Sequence, residues 1–311
     1  EGTIDDSMLL NSGKVDQYYL SVVSQSLLEI FEDESQHDLF YDVACALENV
    51  LKNPKMTSLV FFDRFMNRLL EIIEQSQVEQ KKEFITILAN LIRSSSNNVS
   101  PFVTRTIELV KPHFFDELTL YSLDLIIALL EALGNGFLPY TVNTITSLTS
   151  CLDNAKTNKK EVSQKVLHIF GLLGQFALDF RYLIVQQVCD AVVCEQTLND
   201  VRSISLQTLC KLIDKVDLYE YLGPILRALK YGLTCKANRN EAKKLAYHLV
   251  IKFDPRPFYF DNNEIPELSL SPSEAMAEME KMKPILSNQT TKKQHENVYT
   301  FSRESVIARA V

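Results

Sequence analysis

The side chains best suited to chemistry here are five histidines, six cysteines and a few clusters of charge. His37, His113, His168, His248 and His295 are scattered one to a segment, so no two are spaced to share a metal or to divide acid and base roles. His168 lies in KVLHIFGLL, on an apolar helical stretch, and reads as a core or groove histidine rather than a catalyst. Cys45, Cys151, Cys189, Cys194, Cys210 and Cys235 form no C-x-x-C pair. All but Cys235 sit in apolar helical contexts, where a thiol behaves as a small hydrophobe; reduced thiols and no zinc are expected. Glu29, Glu32, Asp33 and Glu34 cluster where a solvated helix end is expected, not an acid–base pair. In GLTCKANRNEAKKL, the cations Lys236, Arg239, Lys243 and Lys244 could receive an acidic partner or a phosphate, but a solvated loop and helix face is the simpler reading. Phe61, Phe62 and Phe65 suit a core better than a ligand box. The sequence contains no Gly-rich phosphate loop, no kinase H-R-D with D-F-G, no G-x-S-x-G and no H-E-x-x-H. The residues therefore predict a binding scaffold without catalytic, cofactor-binding or metal-ligating residues and without a small-molecule substrate.

Composition narrows the setting. The chain has 311 residues, 46% apolar and 23% charged, which is ample for a core. Eight glycines are few for a fold built on phosphate loops and tight turns. A net charge of −8 argues against nucleic acid as the main partner, because that role needs clustered Lys and Arg. The opening EGTIDDSML is acidic and unlike a signal peptide, and the run LDLIIALLEALG is too short and too interrupted by Asp124 and Glu131 to span a bilayer. A cytoplasmic protein with no direct membrane insertion is expected. The chain opens on Glu1 rather than Met, which points to a piece of something longer.

Periodicity supplies the elements. In KKEFITILANLIRSS, Phe84, Ile87, Leu88, Leu91 and Ile92 recur at the spacing of one helical stripe. No comparable stretch alternates with period two. Helices come in pairs, and the second-type helix of each pair opens near an aromatic: Tyr19, Phe62, Phe102, Tyr140, Tyr182 and Tyr221. These recur about every forty residues, the period of HEAT and armadillo repeats. There is no room for the third short helix of an armadillo unit. The expected fold is all-α, a HEAT-type helical-repeat solenoid of about six helix pairs with an irregular C-terminal tail. Second-type helices are expected near 17–33, 58–75, 99–114, 137–152, 179–195 and 218–233. First-type helices are expected near 38–52, 79–94, 117–133, 160–176, 199–214 and 238–252. Pro101 and Pro139 fit a first helical turn, whereas Pro224 implies a kink or a later start. Tyr140 is expected to pack the start of its pair against a neighbour.

Three parts follow: an N-terminal extension at 1–16, the solenoid at 17–253, and a Pro-rich linker and tail at 254–311. Within the tail, LSPSEAMAEMEKMK predicts a short helix near 272–283, with Ser271 and Glu274 forming a capping box. Met276, Met279 and Met282 line one side of it. It either folds back on the solenoid or serves as a mobile partner-binding helix. Arg64, Arg68, Arg105, Arg227 and Lys230 lie away from the apolar stripes of second-type helices and are the expected partner surface.

Several runs resemble the TOR (target of rapamycin) kinases in unbroken order from about residue 14 to 250. VDQYYLSVVSQSLLEIFEDESQHD is similar to a TOR helix that opens on an acidic residue with an aromatic pair. GNGFLPYTVNTITSL resembles a TOR repeat opened by a glycine turn and aromatic-Leu-Pro. The most specific match is DVRSISLQTLCKLIDKVDLYEYLGPILRAL, with its Arg-Ser-x-x-Leu-x-Thr-Leu run and the proline in the following helix. The absence of Trp marks a divergent member. The resemblance implies a segment of the helical scaffold of a giant Ser/Thr protein kinase of the PI3K-related group, with the catalytic residues elsewhere in the parent chain. It implies docking of a Raptor-type adaptor and assembly with a second copy of the kinase, in growth and nutrient signalling, with endomembrane contact only through partners. The alternative from the residues alone is a stand-alone HEAT adaptor, such as a transport receptor or regulatory subunit.

Overall fold

The computed structural model describes residues 12–52, 59–95, 98–253 and 265–282. Among them every regular element is helical. The α-helices, in chain order, are α1 (Ser12–Glu32), α2 (Phe40–Leu51), α3 (Leu59–Gln75), α4 (Val78–Ser94), α5 (Val103–Val110), α6 (Thr119–Leu133), α7 (Leu138–Ala155), α8 (Lys160–Phe176), α9 (Arg181–Val193), α10 (Asn199–Lys215), α11 (Leu222–Thr234), α12 (Arg239–Lys252) and α13 (Pro272–Met282). Short 3-10 turns lead into several of them.

Helix formation follows the apolar stripes. In α4 the stripe is wide: Phe84, Ile85, Ile87, Leu88, Ala89, Leu91 and Ile92 are all buried. Glu79 in its first turn and Arg93 in its last complement the helix dipole. A single helix with such a stripe cannot shield it. The first-type helices α2, α4, α6, α8, α10 and α12 therefore stack side by side in one layer. The second-type helices α1, α3, α5, α7, α9 and α11 cover that layer from one side, each packed on a member of its own or the adjacent pair. One continuous core results, from Leu28 to Ala275. This is an all-α helical-repeat solenoid.

Prolines and one glycine set the details. Pro139 is the second residue of α7 and Pro224 the third of α11, inside the first turn, where a backbone N–H has no intrahelical acceptor. Pro224 thus marks a later start and not a kink. The helix expected at 99–114 is three pieces: 3-10 turns at Ser100–Phe102 and Lys111–His113 flank the eight residues of α5. Pro112 is the reason, because its missing N–H and its ring end the α-type ladder at Val110. Gly134 stops α6 at φ 50°, ψ −121°, a conformation that side-chain-bearing residues avoid. That stop also divides the apolar run Thr119–Ala155, long and apolar enough to cross a bilayer, into α6 and α7; Ser122 to Leu130 of α6 are buried in the stack except Asp124.

At the ends, α1 begins at Ser12, so part of the stretch expected as an extension over 1–16 is helix. In the tail, the 3-10 turn Pro266–Ser269 and α13 lie against α12. Ile265, Leu268 and Ala275 are buried there. Met279 and Met282 pack on the core, but Met276 is 57% exposed, so the methionine stripe is split. The capping box is present: the Ser271 N–H donates to Glu274 Oε2 (2.8 Å), and the Glu274 N–H donates to Ser271 Oγ (3.3 Å). Residues 254–264 and 283–311 lie outside the described residues.

Candidate protein-binding surfaces

Four of the five basic residues expected as a partner surface pair with groups in the neighbouring repeat. Arg64 on α3 reaches back to α1 with a two-pronged pair: Nε to Glu32 Oε1 (3.1 Å) and Nη2 to Glu32 Oε2 (2.6 Å), while Nη1 donates to Gln25 (3.1 Å). Arg105 on α5 makes the same fork to Glu74 on α3, at 2.9 and 3.0 Å. Arg227 on α11 meets Asp190 on α9 at 3.4 Å. Arg68 lies deeper: Nε donates to the Phe31 carbonyl (3.2 Å), and the guanidinium sits 5.6 Å from the centre of the Phe40 ring. Lys230 is exposed on α11. Hydrogen bonding holds the Glu74 carboxyl below its ordinary range and raises Arg105, each through the other. The first-type layer is laced in the same way, by Arg93–Glu131, Lys165–Asp124 and Lys160–Asp200.

The six opening aromatics divide by depth. Phe62 and Phe102 are buried and touch edge to face across successive repeats, centroids 6.1 Å apart. Tyr140 and Tyr221 are half-buried against the core. Tyr19 and Tyr182 are more than 60% exposed. The deep residue at the start of α7 is Phe137, fully buried and 5.9 Å from Tyr140. Tyr182 and Tyr221 touch at 6.3 Å, so two pairs of register aromatics meet across the stack. Exposed apolar side chains also gather on the second-type helices and the turns leading into them: Leu138 and Val142 on α7, Leu178 and Tyr182 at α9, and Tyr219 before α11.

Three buried thiols are quiet, whereas at Cys194 desolvation is outweighed by hydrogen bonds from Gln196 and Thr197, which lower the thiol pKa. Burial pushes the Cys151 thiol up to about 11 and Cys210 up to about 12, and raises Cys189 further, so these stay protonated and poorly nucleophilic. His113 bonds Asp116 (2.6 Å) and His248 bonds Asp214 (2.7 Å). Among the described residues neither imidazole meets a serine, threonine or cysteine, and no three His, Cys, Asp or Glu side chains converge as metal ligands would. Lys243 pairs with Glu267 of the tail at 3.5 Å and Lys244 with Glu241 at 2.9 Å, which leaves Lys236 and Arg239 as the exposed cations of that loop.

One functional-looking residue escapes composition and periodicity. Arg202, 4% exposed, ties the α9–α10 connection together: Nε donates to the Val192 carbonyl (2.8 Å), Nη2 to those of Cys194 (3.1 Å) and Thr197 (3.3 Å), and Nη1 to Asn199 Oδ1 (2.9 Å). It is the arginine of the Arg-Ser-x-x-Leu-x-Thr-Leu run.

Residues 3–94 match the family described as the serine/threonine-protein kinase mTOR domain. The chain is 23% identical over 230 residues to the serine/threonine-protein kinase TOR2 of Saccharomyces cerevisiae, which covers 73% of this chain. It is 15% identical over 243 residues to the target of rapamycin homolog of Caenorhabditis elegans, and 21% over 214 residues to the serine/threonine-protein kinase tor1 of Schizosaccharomyces pombe, covering 76% and 68% of this chain. In each case the match spans 9% of the relative's length. The chain is a TOR-like helical segment, distantly related to the target-of-rapamycin kinases.

Proposed function

We propose that this chain is a non-catalytic scaffold segment of a TOR-like Ser/Thr kinase, docking a Raptor-type adaptor and contributing to assembly with a second copy of the kinase in the cytoplasm. The observation that carries the reading is the match to TOR2 over 73% of a chain folded as one helical stack. A stack of repeats offers a long, rigid surface whose shape is set by packing, which suits assembly better than catalysis.

The adaptor face belongs to the second-type side at α9 and α11. Leu178 and Tyr182 are exposed apolar side chains at the start of α9, and Arg227 and Lys230 are exposed cations further along α11. Aromatic and arginine side chains make effective anchors at protein interfaces. Arg64, Arg68 and Arg105 also pair within the stack, so their substitution would disturb the repeats as well as any partner contact. The test is a pull-down of the adaptor with the parent chain and with a Y182A/R227E/K230E variant. A loss of at least tenfold in retained adaptor is expected, at an unchanged melting temperature; unchanged retention overturns the face. The coding sequence downstream separates this reading from a stand-alone HEAT adaptor, because only the first calls for a kinase domain in the same chain.

A further inference from the structure

The first-type layer carries a feature of its own. Between α8 and α10 lies a groove of about 340 Å3. Its floor includes Gly171, Ile204 and Thr208, and its walls carry Gln164, Gln175 and Gln207, with Lys211 and Lys215 along the α10 side. Three independent properties distinguish it.

The first is the glycine. A glycine inside a helix costs roughly 0.5–1 kcal/mol relative to alanine, so it usually has a packing reason. Gly174, one turn further along α8, has one: a Cβ there would lie 2.8 Å from Leu212 Cδ2. Gly171 has none, since its nearest neighbour would be Thr208 Cγ2 at an ordinary 3.5 Å. Its missing side chain deepens the groove without being needed by the core.

The second is the amides. Gln175 donates to the Gly171 carbonyl at 2.7 Å, but among the described residues Gln164 and Gln207 make no side-chain hydrogen bond. Each presents a donor and an acceptor together, the pair that one residue of an extended backbone also presents.

The third is charge. Lys165 and Lys160 on α8 are matched by Asp124 and Asp200, and Asp214 on α10 is engaged by His248. Among the described residues Lys211 and Lys215 have no carboxylate within ion-pair distance, although the chain as a whole is acidic at −8. Two uncompensated ammonium groups beside free amides favour an anionic chain over a neutral one.

We infer that the α8–α10 groove is a docking site for an extended, acidic peptide segment, its backbone held by Gln164 and Gln207 and its carboxylates by Lys211 and Lys215. The inference rests on the scaffold reading in making the chain a protein-binding surface, but it uses the opposite layer from the adaptor face.

The test uses fluorescein-labelled ten-residue peptides of Glu/Ser, Lys/Ser and Gly/Ser composition, titrated with the chain and followed by anisotropy at low salt. The Glu/Ser peptide is expected to bind at least tenfold tighter than the other two. K211E/K215E should abolish that preference, and Gly171→Leu should weaken binding at least tenfold at a melting temperature no lower than the parent's. Lys111→Glu, on an exposed turn elsewhere, should leave binding as it is. Equal binding of the acidic and neutral peptides, or undiminished binding by K211E/K215E, overturns the groove. Retained adaptor with no peptide binding removes the groove and leaves the scaffold reading; peptide binding with no adaptor does the reverse.

Discussion

The guanidinium of Arg202 lies 5.2 Å from the centre of the Tyr231 ring, so an arginine that closes the α9–α10 connection also touches the next second-type helix. It is nearly solvent-free, and its donors reach three backbone carbonyls, of which that of Cys194 also accepts from the Thr197 N–H. Arg202→Ala should lower stability by about 2–4 kcal/mol, read as the midpoint of urea unfolding. Arg202→Lys should recover less than half of the loss, because an ammonium cannot reproduce a planar fork.

The forked pair of Arg105 and Glu74 joins successive repeats at an exposed position. A double-mutant cycle with alanine should give a coupling of about 0.5–1 kcal/mol, shrinking with added salt. The Arg105 hydrogen bond sets the folded pKa of Glu74 below its ordinary 4.5. Its contribution is therefore complete above the unfolded value and lost as pH falls through the lower folded one. In Arg105→Ala the stability profile should be flatter below pH 4.5 than in the parent.

The turn that begins Gly134-Asn135-Gly136 divides its work unequally. Gly134 sits at φ 50°, and Gly134→Ala should cost about 1–3 kcal/mol in backbone strain. At Gly136 a Cβ meets only Leu133 Cβ at 3.7 Å, and Gly136→Ala should be neutral within about 0.5 kcal/mol. Thermal unfolding of the two variants side by side decides this.

Two residues at the start of α7 should also separate. Phe137 is fully buried and Phe137→Ala should cost about 3–5 kcal/mol. Tyr140 is half-buried, and Tyr140→Ala should cost about 1 kcal/mol. Equal losses in a denaturant titration would mean that the tyrosine carries the packing of this repeat.

The tail helix shields the last repeat. Ala275 is fully buried against α12, so Ala275→Arg should lift α13 away. Hydrogen exchange in α12 should then rise over Leu245 to Val250, with α4 and α6 unchanged.

Most of the repeat was legible because each helix had to carry a stripe. Phe84 to Ile92 announce α4 by spacing alone, and the Gly and Pro punctuation announces the stops. Depth was less legible. Tyr19 and Tyr182 keep the forty-residue register yet remain exposed, since register fixes a position on a helix and not what the neighbouring repeat brings to it. The basic residues show the same limit. Arg105 falls on a polar face by sequence, but only the stacking distance places Glu74 opposite its fork. Arg202 could not be distinguished from a surface arginine, because three of its acceptors are backbone carbonyls, which leave no trace in composition. The α8–α10 groove needs two repeats to exist and is written in neither.

The central claim, that this stack is a docking segment of a TOR-like kinase, is met most directly by co-elution. The chain, expressed with the Raptor-type adaptor of its own source, would be followed by size exclusion with light scattering. The account predicts one peak with the mass of a complex, shifted back to the mass of the free 35.5 kDa chain by Y182A/R227E/K230E. Separate elution of chain and adaptor at micromolar concentration would contradict it.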